Sequence, residues 1–348
     1  MISNKIRWGI LGTGNIARVF AKGIAGSTTG DLFAVASRSR SDAERFGQEL
    51  DVPCRYGSYE ALLADPSVHV IYIALPHVFH AEWAIRAANA GKHILCEKPL
   101  AMNYAEALSI VEAARTNDVF MMEAFMYRCH PQTAKLIELL RSKAIGDVRI
   151  IQATFSFQAD FDLTNRALSN ELGGGSILDV GCYPISMARL IAGVDLGKEY
   201  AEPIDVYGSG HVGDLSGIDE WSVCCMKFPR GILAQVSAGV FLKQDNVVRI
   251  FGSDGNIFIP SPWVPGGREP GITKILVRRG SETVAQEIMT ETKLSLYAME
   301  ADMVATSINL RQSPVMKWGD SLGNMKTMDR WRQIAGISYS ADPQTHKS

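Results

Sequence analysis

The apolar positions of this chain follow two different grammars. Up to about residue 124, short apolar runs of strand length alternate with segments whose apolar residues recur every three or four positions. The strand-like runs fall at residues 5–8, 32–36, 70–74, 93–96 and 119–122. Between them, Ile16, Val19, Phe20 and Ile24 recur at helical spacing, and residues 59–63 suit a short helix. Residues 81–90 read as a helix stopped by Gly91, and residues 104–117 as another. Ser41-Asp42-Ala43-Glu44 has the form of a capping box and predicts a helix start there. Strand alternating with helix predicts a doubly wound parallel sheet whose ligand-facing loops lie at the strands' carboxyl ends. From Phe125 the pattern changes to a helix over 131–142 and a long strand over 148–157. Extended runs follow at 204–212, 221–228, 232–241, 247–251, 275–278 and 284–289. Pro229-Arg230-Gly231 and Ser253-Asp254-Gly255 punctuate them as hairpin turns. Residues 296–309 and 323–334 read as closing helices. The expectation is an α/β chain in two domains: residues 1–124 around the parallel sheet, and residues 125–348 as an α+β domain on a large, mainly antiparallel open sheet. Residues 260–271 form the longest irregular segment and a candidate binding loop.

A chain of 348 residues exceeds one typical core, which agrees with two domains. The net charge of −2 comes without a long basic run, so neither nucleic acid nor an anionic membrane is an expected partner. No apolar stretch approaches the roughly 20 residues that span a bilayer. The first residues lead straight into a strand, without a leader-like apolar region. Cys54, Cys96, Cys129, Cys182, Cys224 and Cys225 show no C-x-x-C pairing and read as reduced thiols, so a cytoplasmic protein is expected.

Gly9-Ile10-Leu11-Gly12-Thr13-Gly14-Asn15-Ile16-Ala17 gives the first domain its chemistry. With a strand before it and a helix after it, G-x-G-x-x-A fits the dinucleotide fingerprint of a Rossmann fold. Gly12 permits the tight turn, Gly14 lets backbone approach a pyrophosphate, and Ala17 allows close helix–strand packing. The helix opening at Asn15 and Ile16 presents free N–H groups to the anion. An NAD site would place Asp or Glu at the end of the second strand for the ribose 2′-OH. Here that strand ends in Ser37-Arg38-Ser39-Arg40, and the Arg38 guanidinium suits a 2′-phosphate. The expected cofactor is therefore NADP(H).

Two further stretches carry candidate chemistry. Glu97-Lys98-Pro99 follows a strand directly, where a lysine can hold a carbinol or carbonyl oxygen. Gly173-Gly174-Gly175 lets backbone come close to a ligand, and Asp179 and Tyr183 follow four residues apart. Pro184 predicts a break, with one helical turn carrying Asp179 and a second helix starting beside Tyr183. An ammonium nearby would draw a phenol down from its free pKa of about 10. On the residues alone, a solvated Lys98 and a buried, satisfied Tyr183 stay open as readings. His77 and His80 stand three apart without a third ligand at suitable spacing, so no metal is expected.

Gly12-x-Gly14-x-x-Ala17, Ala74-Leu75-Pro76-His77-x-x-His80, Glu97-Lys98-Pro99 and the segment from Gly173 to Tyr183 occur in the order seen in the glucose–fructose oxidoreductase/inositol dehydrogenase family (Gfo/Idh/MocA). Essentially the whole chain resembles it. Met122-Glu123-Ala124-Phe125-Met126-Tyr127-Arg128 and Asp179-Val180-Gly181-Cys182-Tyr183-Pro184 are similar to the branch containing dimeric dihydrodiol dehydrogenase, NADP-dependent D-xylose dehydrogenase and 1,5-anhydrofructose reductase. The inositol-type branch would have histidine in place of Tyr183. The resemblance implies hydride transfer between nicotinamide C4 and a carbinol or carbonyl carbon of a sugar or polyol. Lys98 would orient the substrate oxygen, Tyr183 would be the general acid/base, and Asp179 would bond substrate hydroxyls or Lys98. Leu75, Pro76, His80, Glu97 and Arg128 would face the cofactor. Phe157, Phe161, Asn165 and Arg166, by position, would shape the sugar pocket. The resemblance also implies a homodimer, or a tetramer, formed through the open sheet. Two other readings stand beside it: a sugar–sugar transhydrogenase with a tightly held cofactor, and a non-catalytic nucleotide-sensing regulator, which the presence of Lys98 and Tyr183 disfavours.

Overall fold

The computed structural model describes residues 5–162 and 165–342. Its first part alternates β1 Ile6–Leu11, α1 Asn15–Ile24, β2 Gly30–Ala36, α2 Arg40–Glu49, β3 Cys54–Tyr56, α3 Tyr59–Leu63, β4 Val70–Ile73, α4 His80–Asn89, β5 His93–Glu97, α5 Tyr104–Thr116 and β6 Met121–Ala124. The six strands are parallel, in the order β3-β2-β1-β4-β5-β6. Strand order reverses between β1 and β4, so the loops after those two strands diverge and open a crevice. The short run Cys54–Tyr56 is half-buried and too brief to show a period, and the apolar pattern does not reveal it. Helix α2 begins at Arg40, with the Ser39 hydroxyl accepting from the Asp42 N–H. The expected cap at Ser41 is thus two residues late. The correction leaves Arg38 outside the helix, at the crevice end of β2.

The second part carries α6 Pro131–Arg141, β7 Val148–Ser156, α7 Cys182–Asp195, β8 Asp205–Val212, β9 Asp219–Lys227, β10 Leu233–Gly239, β11 Val248–Gly252, β12 Gly255–Ile259, β13 Ile272–Arg279, β14 Gln286–Glu291, α8 Leu296–Ser307 and α9 Trp318–Ala335. Its eight strands run β14-β13-β12-β11-β7-β10-β9-β8, antiparallel except for the parallel pair β7 and β10. Helices α7 and α9 cover one face of this sheet. Among the described residues nothing covers the other, and burial alternates along β9 and β10 accordingly. Helix α8 packs back on α1 and α9 on α5, so one apolar core runs through both sheets.

As Pro184 leads one to expect, Asp179 sits on one turn and α7 begins beside Tyr183, but the two are continuous rather than broken. Residues Ile177–Gly181 form a π turn that runs directly into α7. Pro184 is the third residue of α7, in the first turn, where a missing N–H leaves no gap in the ladder. The helical run Asn170–Asp195 has a mean hydropathy of 1.4 and the length and composition of a membrane span, which the sequence reading did not anticipate. Its most apolar 18 residues are wholly buried, as in a core helix.

Candidate active site

The turn after β1 is built around two glycines with opposite surroundings. Gly12 has φ +102, and a Cβ there would lie 2.6 Å from the Ala74 carbonyl oxygen. Only glycine fits between β1 and the β4 loop. A Cβ on Gly14 would instead point into open space, with nothing within 4 Å. Packing does not require glycine at that position, whereas close approach of a ligand to the backbone does. Gly14 is also the N-cap of α1, without a side-chain cap, and the first turn carries no acid. Free N–H groups and the positive end of the helix dipole are left facing the crevice, a fit for a pyrophosphate.

One cleft of about 670 Å³ continues from this turn. Gly12, Gly14, Asn15, Ile16, Ser37, Arg38, Leu75, Pro76, Glu97, Lys98, Asn165, Arg166 and Tyr183 all line it. A second cavity of about 430 Å³ shares Arg38, Tyr59, Leu75 and Pro76 with it and is walled by Phe79 and Trp83. Arg38 is exposed and lies 5.9 Å from the centre of the Phe79 ring. It enters no ion pair among the described residues, so its charge is available to a phosphate. Asp42 also lines the cleft, but Arg45 holds its carboxylate at 2.5 Å.

Lys98 sits at the end of β5 and reaches across to the second sheet's helix. Its Nζ donates to the Asp179 carbonyl at 2.6 Å and to Asp179 Oδ1 at 3.3 Å. The pair is nearly buried. Burial works against both charges. The attraction of Lys98 and Arg166 nevertheless holds the Asp179 carboxyl well below the usual carboxylate range. Asp179 in turn keeps the Lys98 ammonium above its ordinary value. Both are therefore charged at neutral pH. Tyr183 lies beside them, its ring centre 5.1 Å from Lys98 Nζ. Its hydroxyl donates to Met126 Sδ at 3.5 Å, with no bond to the ammonium. Burial first, then Glu97 and Cys182, push the Tyr183 phenol well above its ordinary value. The expected lowering by Lys98 is corrected: with no direct bond, the ammonium's favour does not offset burial in an aromatic box of Phe125, Tyr127, Phe155 and Trp263. Glu97 is buried under the cleft floor, accepting from the Tyr72 hydroxyl and, at 3.2 Å, from the Lys98 N–H.

The three glycines ahead of Asp179 serve packing rather than ligand approach. Cβ atoms on Gly173, Gly174 and Gly175 would lie within 2.5 Å of Met102 Sδ, the Ala167 carbonyl oxygen and Asp219 Oδ1 respectively. Asp219 accepts from the Ile177 N–H and the Ser176 hydroxyl, each at 2.7 Å, and so pins the start of the π turn.

Four expected site residues lie elsewhere. His80 is fully buried, with Nδ1 2.8 Å from the Pro99 carbonyl and Nε2 2.9 Å from the Leu75 carbonyl. It ties two cleft loops together and does not face the cleft. Arg128 points away into the core, bonded to Tyr127, to Ser186 and, at 3.0 Å, to Asp320. Phe157 packs in a small satellite cluster with Leu168 and Val240. Phe161 stacks on Phe241 at 5.8 Å and is half exposed. The sequence reading missed Met126, Phe155 and Tyr297, which do line the cleft, and covered two further lining residues, Val264 and Arg268, only through its candidate binding loop. The last two come from the irregular segment 260–271. His77 lines it as well, with Nδ1 on the Gly173 carbonyl and Nε2 near Arg166. Both rings of the His77 and His80 pair are thus engaged within the protein.

Comparison with known proteins agrees with this arrangement. Residues 6–125 match the model described as "Oxidoreductase family, NAD-binding Rossmann fold", and residues 133–258 match the GFO/IDH/MocA C-terminal domain. The chain is 33% identical over 343 residues to a trans-1,2-dihydrobenzene-1,2-diol dehydrogenase of Xenopus laevis, covering 96% of this chain and 99% of that one. It is 31% identical over 322 residues to a D-xylose 1-dehydrogenase (NADP(+)) of Haloferax volcanii, covering 92% and 95%. Among solved structures, a 3-ketoreductase from Actinomadura kijaniata in complex with NADP and TDP-benzene superposes with a TM-score of 0.84 at 26% identity, covering 95% of this chain and 98% of that one. With both domain models matched in order, and a nucleotide crevice leading to a buried Lys98–Asp179 pair, the chain belongs to the GFO/IDH/MocA family of NAD(P)-binding oxidoreductases.

Proposed function

We propose that this protein is an NADP(H)-dependent oxidoreductase acting on a carbinol or carbonyl carbon of a sugar, sugar derivative or polyol. The observation that carries the reading is the continuity of one cleft from Gly12 and Gly14, past Arg38, to Lys98 and Tyr183. The residues fit the cofactor in parts. The start of α1 would hold the pyrophosphate, Arg38 with Ser37 the 2′-phosphate, and the Tyr59, Phe79 and Trp83 cavity the adenine. When bound, NADPH supplies a hydride from C4 of its nicotinamide.

The chain's own residues then have distinct tasks. Lys98, kept charged by Asp179, is a fixed donor for the substrate oxygen. It stabilises negative charge developing there from a nearly buried position. Tyr183 keeps its proton at neutral pH, so it is a general acid for carbonyl reduction and gives that proton to the developing alkoxide. In the oxidative direction it must first lose the proton, which its burial opposes. Arg166 and Asn165 at the cleft wall meet substrate hydroxyls. A second copy of the chain covers the bare face of the larger sheet.

A panel of aldoses, inositols, anhydrosugars, ketosugars and trans-dihydrodiols, scored by nicotinamide absorbance with NAD(H) and NADP(H) in parallel, tests the reading. Turnover of at least one class with NADP(H) preferred is expected, and no turnover of any class with either cofactor contradicts it. Purification with stoichiometric, non-exchanging cofactor would turn the assignment toward sugar–sugar transhydrogenation.

A further inference from the structure

His77 stands at the end of the β4 loop and touches the second sheet's half of the site on both sides of its ring. Nδ1 is 2.9 Å from the Gly173 carbonyl oxygen. A carbonyl can only accept, so Nδ1 carries the proton. Burial of the ring, with Arg166 nearby, disfavours its cation. A neutral imidazole protonated at Nδ1 has a bare lone pair at Nε2. That nitrogen lies 3.3 Å from Arg166 Nη1, and a guanidinium can only donate. The other end of the same fork, Nη2, lies 3.5 Å from Asp179 Oδ1, the oxygen that also accepts from Lys98 at 3.3 Å. Asp179 is therefore shared between two cations, and His77 is the neutral acceptor that takes up part of the Arg166 fork. Gly173 has φ +74, and a Cβ there would stand 3.3 Å from the His77 Cβ, so the close approach of this carbonyl to the ring needs glycine.

We propose that His77 is a positioning residue: locked as the Nδ1–H tautomer by the Gly173 carbonyl, it holds Arg166 with its bare Nε2 and so keeps Asp179 free to orient Lys98. The inference rests on the catalytic reading of Lys98 given above. Without His77, Arg166 turns its whole fork to Asp179 and competes with Lys98 for Oδ1.

Two replacements separate this role from a merely structural tie. His77→Gln reaches the Nε2 position with an acceptor oxygen, whereas His77→Asn mimics only the Nδ1 donor. On the holoenzyme with NADPH, His77→Asn should lower kcat roughly 10- to 100-fold, as sub-ångström misplacement of a reacting group does. His77→Gln should recover most of that loss. The opposite order, Asn above Gln at matched thermal stability, would overturn the proposal. In an Arg166→Ala background, His77→Asn should cost less than about 2-fold further, since the two residues act as one unit. Full additivity would likewise overturn it. Nitrogen-15 NMR of histidine-labelled protein, assigned by difference against His77→Gln, reads the tautomer without any turnover. A protonated Nδ1 and bare Nε2 are expected, and a protonated Nε2 contradicts the proposal. A wild-type protein inactive on every substrate would sink the catalytic reading alone, with the tautomer measurement still deciding the geometry.

Discussion

At the scale of single residues, the cleft divides its cations by partner. Lys98 and Arg166 share one carboxylate, while Arg38 forms no ion pair among the described residues. Replacing Arg38 with alanine should therefore weaken NADP(H) binding at least 10-fold while leaving NAD(H) nearly unchanged, because only the former brings a 2′-phosphate to the guanidinium. Fluorescence titration of both reduced cofactors checks this, and equal losses for the two would remove Arg38 from that role. The turn with Gly12 and Gly14 was legible in the residues themselves, because its backbone geometry is dictated by its own neighbours, whereas the meeting of Lys98 and Tyr183 in the same cleft was implied by the family resemblance. Where His80, Arg128, Phe157 and Phe161 lie was legible in neither. Where a side chain points at the end of a strand or in a short 3₁₀ turn is decided by what packs against it. Arg128 turns inward because Asp320, far along the chain, offers it a buried carboxylate. Phe155 on β7, two residues before Phe157 just past the strand's end, lines the cleft and stacks on Trp263 at 5.7 Å. No pattern along the strand distinguishes the two.

At the scale of elements, the two glycines of the β1–α1 turn make opposite predictions. Gly12→Ala places a methyl on the Ala74 carbonyl at positive φ and should lose both stability and cofactor binding. Gly14→Ala meets open space at an ordinary φ of −73, so its melting temperature should stay near that of wild type. Its NADPH affinity should nonetheless fall about 10-fold or more, because the methyl occupies the phosphate's approach. Calorimetry with and without NADPH measures both; a Gly14→Ala protein that binds as tightly as wild type would show that nothing approaches this backbone. The strand–helix alternation was readable because each buried strand is a short apolar run and each helix an amphipathic one. The π turn at Ile177–Gly181 was not readable, because what permits it is Asp219 bonding the turn from another strand and glycines that let three neighbours close in.

At the scale of the whole molecule, the larger sheet leaves Ile150, Tyr207, Val223, Leu233 and Phe251 exposed on strands β7 to β11, and registry brings Ile150 opposite both Leu233 and Phe251. An exposed apolar patch of this kind is the signature of an interface. The expectation is a dimer in sedimentation, converted to monomer by combined Val223→Lys and Leu233→Lys without loss of helical signal. A monomeric wild-type protein would contradict it. The central claim is narrower: a phenol that keeps its proton, beside an ammonium fixed by Asp179, completes the transfer begun at the nicotinamide. It is tested most directly by single-turnover oxidation of NADPH by the best carbonyl substrate, comparing wild type with Tyr183→Phe across pH. A general acid must be protonated, and burial raises the Tyr183 pKa. Wild-type reduction should therefore be flat through neutrality and fall only as pH rises past about 10, the free phenol value. Tyr183→Phe should be slower by about 10²–10⁴-fold at every pH below that, with NADPH affinity intact. A Tyr183→Phe enzyme reducing at the wild-type rate would contradict the account.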